Sequence, residues 1–322
     1  PLWKPESFVQ TPVKGLTDKL SFYECAGSKT GGPKKWSEPV NALGGDKQWM
    51  VIDTTSNSSN GHIYSSWTWG TSNFGTDNTR SIDGGESYPA TDDDIGNQWG
   101  TLSVGPNGKL YSCGVGKFAY SSTARFAELP MSWDDSYFLN LGGNTVAFMG
   151  PNPAGLSGQN WVATDHSSPE RAGNVYVLSA LEPAANTDPC DVFFIRSRDE
   201  GITWSDPIII NDDADQNHWQ WMAVMSVAPN GRIDAAWLDT RDDPNNGYIS
   251  SLYYAYSLDE GESWSENTRL SESFDPHVGW PNQEKMGDYF HLISDNDGAH
   301  LAWAGTINGE QDVYYSFIQP EM

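Results

Sequence analysis

The chain has 322 residues, with 43 Asp and Glu against 18 Lys and Arg, a formal net charge of −25. That balance argues against nucleic acid and anionic membranes as partners, because phosphate contacts need clustered cations; it suits a soluble exported protein or a salt-adapted one. The 32 Gly, 19 Pro, 15 Trp, 14 Tyr and 12 Phe favour an all-β domain of many short strands joined by tight turns.

No segment is apolar enough to span a membrane, and none has the periodicity of an amphipathic helix of three turns. Cys25, Cys113 and Cys190 stand far apart with no C-x-x-C spacing. No zinc or redox motif follows from them, at least one thiol is free, and Cys25 can pair with another. The chain opens at Pro1 without Met, as a mature or trimmed chain does, so a removed signal peptide is compatible with it. One domain spanning 1–322 and a monomer are expected.

In chain order, Trp36-Ser37-Glu38-Pro39-Val40 reads as an orphan strand. After it, five cognate segments open successive units: Gln48-Trp49-Met50, Gln98-Trp99-Gly100, Gln159-Asn160-Trp161, Gln220-Trp221-Met222 and, more distantly, Gly287-Asp288-Tyr289. A turn and a second strand follow each, and the turns include Asn60-Gly61, Pro106-Asn107-Gly108, Pro229-Asn230-Gly231 and Asp297-Gly298, which are hairpin signals. The third strands include Val192–Ile195, Leu252–Tyr256 and Asp312–Ser316. An eight-residue phrase then leads to a fourth strand. Ser197-Arg198-Asp199-Glu200-Gly201-Ile202-Thr203-Trp204 recurs as Ser257 to Trp264 and, with Tyr for Trp, as Ser81 to Tyr88; a worn copy starts at Ser28.

The phrase S-x-D-x-G-x-[ST]-W has the chemistry of a turn. Asp accepts from backbone N–H groups just ahead of it, Gly supplies positive φ, and the aromatic ring buries at the start of the next strand. A four-stranded antiparallel unit repeated along the chain is a propeller blade. The phrase resembles the Asp box, or BNR repeat, of the sialidase-like β-propellers. The resemblance implies an all-β propeller of four-stranded blades: six, or five if residues 131–156 are an insertion and not a degenerate blade. Pairing the Trp36–Val40 strand with the three-stranded C-terminal unit would close the ring and remove its open edges.

In that topology the Asp boxes and Asn-Gly turns share one face, and the longer loops share the other. Long loops on a rigid scaffold are where sites are built. Those loops carry Asp92-Asp93-Asp94 before Gln98-Trp99; Asp212, Asp213, Asp215, His218 and Trp219; His277, Trp280, Glu284, Asp288 and Tyr289; and Trp69, Arg80, Asp239 and Arg241. Aromatic faces stack on sugar rings, and carboxylates bind hydroxyls or act as acid and base. The same loops can also be simple solvated surface, with the Gln-Trp pairs packing blade on blade. Asp212, Asp213 and Asp215 form a possible Ca²⁺ site; no cofactor is required.

Sialidases hold a substrate carboxylate with three arginines and use a Tyr nucleophile with an acidic partner. Here the Arg-Ile-Pro motif of that family is absent, and of the Arg residues at 80, 125, 171, 196, 198, 232, 241 and 269 only Arg80 and Arg241 map to the loop face. The C-terminal third, with Asp239-Thr240-Arg241, Gly279-Trp280-Pro281, Gly287-Asp288-Tyr289 and Asn308-Gly309-Glu310-Gln311, also resembles a set of sialidase-like proteins. The resemblance implies a secreted glycoside hydrolase acting on a neutral or weakly charged glycan or polysaccharide. Asp288 or Glu284 would be acid/base and Tyr289 nucleophile or its partner, with Arg241, His218, Arg80, Asp239, His277 and Gln98 around them and Trp69, Trp99 and Trp219 as stacking platform. A lectin without catalysis and a His/Tyr/Arg lyase are the alternatives.

Overall fold

Three copies of the repeated phrase close the same hydrogen-bonded turn in the computed structural model, which describes residues 24–25, 39–71, 75–91, 94–96, 98–185, 188–214, 217–245, 247–279 and 284–320. In the second copy along these residues, Asp199 Oδ1 accepts from Ser197 Oγ (2.7 Å), Ile202 N (3.1 Å) and Thr203 N (2.8 Å), while Oδ2 accepts from Thr203 Oγ1 (2.6 Å). Asp83 and Asp259 repeat the pattern with Ser87 and Ser263. The residue after Asp is left-handed each time: φ is 75° at Gly84 and 62° at both Glu200 and Glu260. The worn copy at Ser28 lies outside the described residues.

The Ser87 hydroxyl, helped by the Ser81 hydroxyl and two amides and opposed by slight burial, holds the Asp83 carboxyl down to about 2. A depressed carboxyl stabilises the fold above its ordinary pKa and loses that contribution as pH falls through the folded value. We expect Asp83→Asn to lower stability at neutral pH and to flatten the acid limb between about pH 4 and 2. Chemical denaturation at several pH values checks this.

The described residues form two compact units, one ending at Leu139 and one beginning at Asn140. In the first, β1 (Glu24–Cys25) pairs with β2 (Val40–Asn41). A three-stranded antiparallel sheet follows, β3 (Trp49–Ile52), β4 (Ile63–Ser66) and β5 (Asn78–Ser81), and its fourth strand shrinks to the bridge Thr79–Ala90. The next sheet has four strands: β6 (Gly100–Val104), β7 (Leu110–Gly114), β8 (Lys117–Ser121) and β9 (Asp135–Phe138).

The second unit opens with a five-stranded sheet: β10 (Gly143–Thr145), β11 (Trp161–Thr164), β12 (Val175–Pro183), β13 (Asp191–Ser197) and β14 (Ile208–Ile209). Next comes a sheet of four, β15 (Gln220–Val227), β16 (Ile233–Asp239), β17 (Ser251–Ser257) and β18 (Thr268–Arg269). The last has three: β19 (His291–Ser294), β20 (Ala299–Gly305) and β21 (Asp312–Ile318). The chain is therefore all-β, with five antiparallel blades of the β-propeller kind.

Two expectations are corrected. The blades hold three, four, five, four and three strands, so four is not general. No sixth blade arises from 131–156. Instead β9 completes the sheet before it, and β10 joins the sheet after it by pairing Thr145 with Leu181, while β11 pairs Trp161 with Leu178 on the same strand β12. The first strand of that blade is thus split, and residues 146–160 leave it and return. The proposed closing strand lies outside the described residues at 36–38, and its end, Val40, pairs with Cys25.

Packing explains the fully buried strands. All seven residues of β16 are buried: sheet faces are covered on both sides, which erases the alternation of a one-sided strand. The aromatic of the phrase seals one sheet to the next, since Trp264 meets Phe194 of β13 edge-on at 5.2 Å between centroids. Charge reinforces that seam. Glu260 pairs with Arg171 (3.3 Å) and Arg198 (2.9 Å), and Glu262 with Arg196 and Arg198. Among the described residues no helix is long and apolar enough to cross a membrane, and Cys113 and Cys190 are buried free thiols.

Candidate functional site

The 146–160 excursion organises one end of the second unit. It is a narrow hairpin, with Ala147 bridging Leu156 and Phe148 N donating to Gly155 O (2.7 Å). Fully buried Asn152 fixes it, donating to Leu156 O (2.9 Å) and accepting from Met286 N (3.0 Å). Gly150, at φ 63°, lies flat on Trp219; a Cβ there would fall 2.5 Å from the ring. His277 Nε2 donates to Pro151 O (3.1 Å). Met222 N donates to Ser157 O (2.6 Å). Trp219, Met222, His277 and the Lys285–Asp288 turn are thus gathered around one loop.

Beneath it lies a small cleft, with space for about one water (about 10 Å³), lined by Gln159, Trp161, Met222, Ala223, Val224, Asp288 and Phe290. Its floor is distorted. Between Trp221 and Val224 the register of β15 against β16 shifts, so two residues oppose one, and Met222 is left-handed at φ 55°. A left-handed non-glycine residue costs of order 1–3 kcal/mol, and such strain gathers where a site needs it. Asp288 is buried and accepts from Lys285 Nζ (3.3 Å). Gln159 is buried as well, and its Nε2 has no acceptor among the described residues.

Asp288 faces this cleft, whereas Tyr289 is 48% exposed and does not line it. Glu284 is exposed with left-handed backbone, φ 50°.

A second cluster sits where β13, β15 and β16 meet. Asp239 ends β16, fully buried, and accepts from Trp237 Nε1 (3.0 Å) and from Arg241 N and Nε (2.8 and 2.9 Å). Arg241 continues to Asp212 (2.7 Å) and Asn267 (3.0 Å), and its guanidinium lies 4.3 Å from the Tyr253 ring centre. Burial opposes its charge, but Asp239, Asp212 and Asp213 hold it above the ordinary arginine range. Asp213 accepts from Asn211 Nδ2 (2.8 Å) and Gln220 Nε2 (3.2 Å), and His218 Nδ1 stands 3.8 Å from its Oδ2. Asp191 shares Asn211 (2.7 Å).

Asp188 and Asp191 are the residues that sequence reading missed. Asp188 lies in the loop before β13 and Asp191 opens that strand, on either side of Cys190, and only the doubled Asp around it could have drawn notice. Burial first, then Asp191, Asp213 and Asp239, push the Asp188 carboxyl up to about 7. A carboxyl raised in the folded state is one whose ionisation opposes folding: the native chain binds more protons between the two pKa values, so stability falls as pH rises from about 4 to 7. We expect Asp188→Asn to remove part of that slope, leaving the variant relatively more stable than the parent at pH 8. Unfolding midpoints at pH 5 and 8 test it.

Other expected site residues fall elsewhere. Arg80 is buried in β5, donating to the carbonyls of Ala124 (2.8 Å), Phe126 (3.0 Å) and Leu129 (2.8 Å); it holds a loop and presents no free guanidinium. Trp69 is 56% exposed, Gln98 is exposed, and Trp99 is half-buried at φ 49°, all in the first unit. Of the expected Ca²⁺ ligands, Asp212 and Asp213 are engaged as above and Asp215 lies outside the described residues. Among the described residues no group of three or more His, Cys, Asp or Glu is arranged to hold a metal ion.

No family model and no curated protein matches the chain. Among solved structures it is similar to an α-L-arabinofuranosidase of Fusarium graminearum, at 13% identity and a TM-score of 0.48, covering 84% of this chain and 92% of that one. An endo-arabinase of Bacteroides thetaiotaomicron gives 12% and 0.42, covering 87% and 95%. An intramolecular trans-sialidase of Ruminococcus gnavus gives 14% and 0.34, covering 66% and 40%. These values carry no inference about reaction or substrate.

Proposed function

We propose that the protein is a secreted glycoside hydrolase whose site is the cleft below the 146–160 hairpin, acting on a neutral or weakly charged glycan. The observation that carries this reading is the meeting of a buried carboxylate, Asp288, with an unpartnered buried amide, Gln159 Nε2, beside the Trp161 ring. A hydroxyl at the mouth of the cleft would accept from the amide, and the carboxyl would exchange a proton with the glycosidic oxygen. Lys285 keeps Asp288 oriented, and Trp219 and His277 border the approach.

A sialate is disfavoured because the arginines are already engaged. Arg171, Arg196 and Arg198 pair with Glu260 and Glu262, Arg232 with Asp234, Arg241 with Asp212 and Asp239, and Arg269 with Asp242. Arg80 and Arg125 donate to backbone carbonyls. The test is a glycan array followed by product analysis on the best binders. A reducing-end product supports hydrolysis. Binding without product would make the protein a lectin, and an unsaturated product absorbing in the near ultraviolet would make it a lyase.

A further inference from the structure

Three side chains of the last sheet form a hydrogen-bonded chain that neither the cleft nor the buried polar cluster uses. Tyr315 of β21 donates its phenol O–H to His300 Nδ1 (2.6 Å), and His300 Nε2 donates to Asp295 Oδ2 (3.0 Å). The directions follow from the ionised carboxylate, which can only accept: it takes the Nε2 hydrogen and leaves the Nδ1 lone pair for the phenol. Asp295 is fixed in turn, because its Oδ1 accepts from Asp297 N and Gly298 N (both 2.8 Å). The His300 bond, then these amides, hold its carboxyl below the ordinary carboxylate range. Phe317 stacks on the imidazole, with 4.7 Å between centroids and 29° between planes. Other phenols are placed differently. Tyr176, Tyr253 and Tyr254 donate to the carboxylates of Asp165, Asp242 and Asp234, and Tyr64 donates to Ala124 O; all four are buried. Tyr315 is 37% exposed. Tyr248, at 40%, meets His277 ring to ring, and its hydroxyl bonds to none of the described residues.

We propose that Tyr315 is a redox-active tyrosine, the residue that a one-electron oxidant takes first, and that its oxidised form joins two copies of the chain. Removing an electron from a phenol makes its proton strongly acidic, so oxidation is easiest where a base already holds that proton. Imidazole is a better base than the carboxylates that hold the buried phenols, and His300 Nδ1 stands within reach for direct transfer. In the step, the oxidant gains one electron, the O–H bond breaks, the proton moves to Nδ1, and a neutral phenoxyl radical remains. The imidazolium so formed keeps the Asp295 carboxylate on Nε2 and the Phe317 ring against its face. Two such radicals then form a carbon–carbon bond between their rings, ortho to oxygen. The hydrogens on the joined carbons pass to the oxygens, and each imidazolium gives its proton to water. Two phenols have lost two electrons and two protons, and the product is dityrosine. Ile293 and Val313 lie exposed on the same sheet face as Tyr315, so the ring is open to a second copy. The proposal is independent of the glycan reading.

The experiment is oxidation of the full chain with substoichiometric hexachloroiridate(IV), a one-electron oxidant. It is run in about 0.5 M salt, where repulsion of this anion by the net charge is screened. Peptide mass spectrometry locates the oxidised residues, and dityrosine fluorescence with denaturing electrophoresis reports the covalent dimer. Tyr315 should be oxidised about 10²-fold faster than Tyr248, the lower end of what a positioned base contributes, and the dimer should carry a Tyr315–Tyr315 link. Tyr315→Phe should remove the dimer. His300→Ala should slow Tyr315 to the rate of Tyr248, and free imidazole should restore part of the difference, which a merely structural role for His300 would not allow. Equal oxidation of Tyr248 and Tyr315 in the parent protein would overturn the proposal even if neither variant folds. So would first oxidation at the exposed Trp69, a dimer that survives Tyr315→Phe, or a folded His300→Ala variant that is oxidised at Tyr315 as fast as the parent.

Discussion

Asp288→Asn lowers glycan turnover by about 10²–10⁴-fold, the usual worth of a positioned acid or base, with the unfolding midpoint nearly unchanged. The amide keeps the shape of the carboxyl and can still meet Lys285, so packing against Phe290 and Trp161 survives while proton exchange does not. The effect should appear in kcat and kcat/KM together, because a proton transfer is made in the transition state and not on binding. Gln159→Ala, by contrast, should raise KM more than it lowers kcat, since the amide holds a hydroxyl in both states. Steady-state kinetics on the best array substrate separate the two. Unchanged turnover in Asp288→Asn would remove the cleft as the reaction site.

Arg232→Ala costs about 3–5 kcal/mol of stability, the penalty for breaking a buried ion pair from one side. The Arg232 and Asp234 side chains are fully buried. Arg232 Nε meets both carboxylate oxygens of Asp234 (2.8 and 3.1 Å), and its Nη2 reaches Asp295 O (2.9 Å) between the last two sheets. Tyr254 also donates to Asp234. Deleting the arginine strands a buried carboxylate beside a phenol whose ionisation is already suppressed by burial. The double variant Arg232→Met with Asp234→Leu should recover most of the loss. Urea unfolding with an unchanged m-value would attribute the difference to stability alone; a loss below about 1 kcal/mol for Arg232→Ala would contradict the buried-pair account.

Much of the scaffold was legible because it is written in local chemistry. The Ser-x-Asp-x-Gly phrase needs no distant partner to close, so three copies announced three turns before sheets that carry them. Gly61, Gly108 and Gly231 marked hairpins for the same reason, and all three are left-handed. Pairing was harder. Residues 143–145 and 161–164 share one partner strand across an excursion of fifteen residues, and nothing local says that a strand will resume. Of the candidate cleft, the segment before β19 stood out in the sequence and the hairpin across from it did not. Trp219 and His277 do meet one hairpin, through Gly150 and Pro151, yet Asn152, which fixes that hairpin to Met286, sits in a segment without periodicity. Asp188 depends on burial and on three other carboxyls, a property of the fold and not of its tetrapeptide. Arg80 misled for the opposite reason: an arginine near a loop says nothing of whether carbonyls already surround it.

The extra residue in β15 changes the parity of that strand. Without it, Met222 and Val224 would face one side and Ala223 the other; with it, three consecutive residues share the cleft floor. The half of the strand before the shift then keeps a phase of its own, which turns Gln220 towards Asp213 and Asp239. Removing one residue there would exchange the two faces of everything upstream, taking Gln220 away from Asp213 and Asp239 while narrowing the cleft. The cleft floor and the buried polar cluster are therefore phased by a single backbone irregularity, and neither can be redesigned by length changes in β15 without displacing the other.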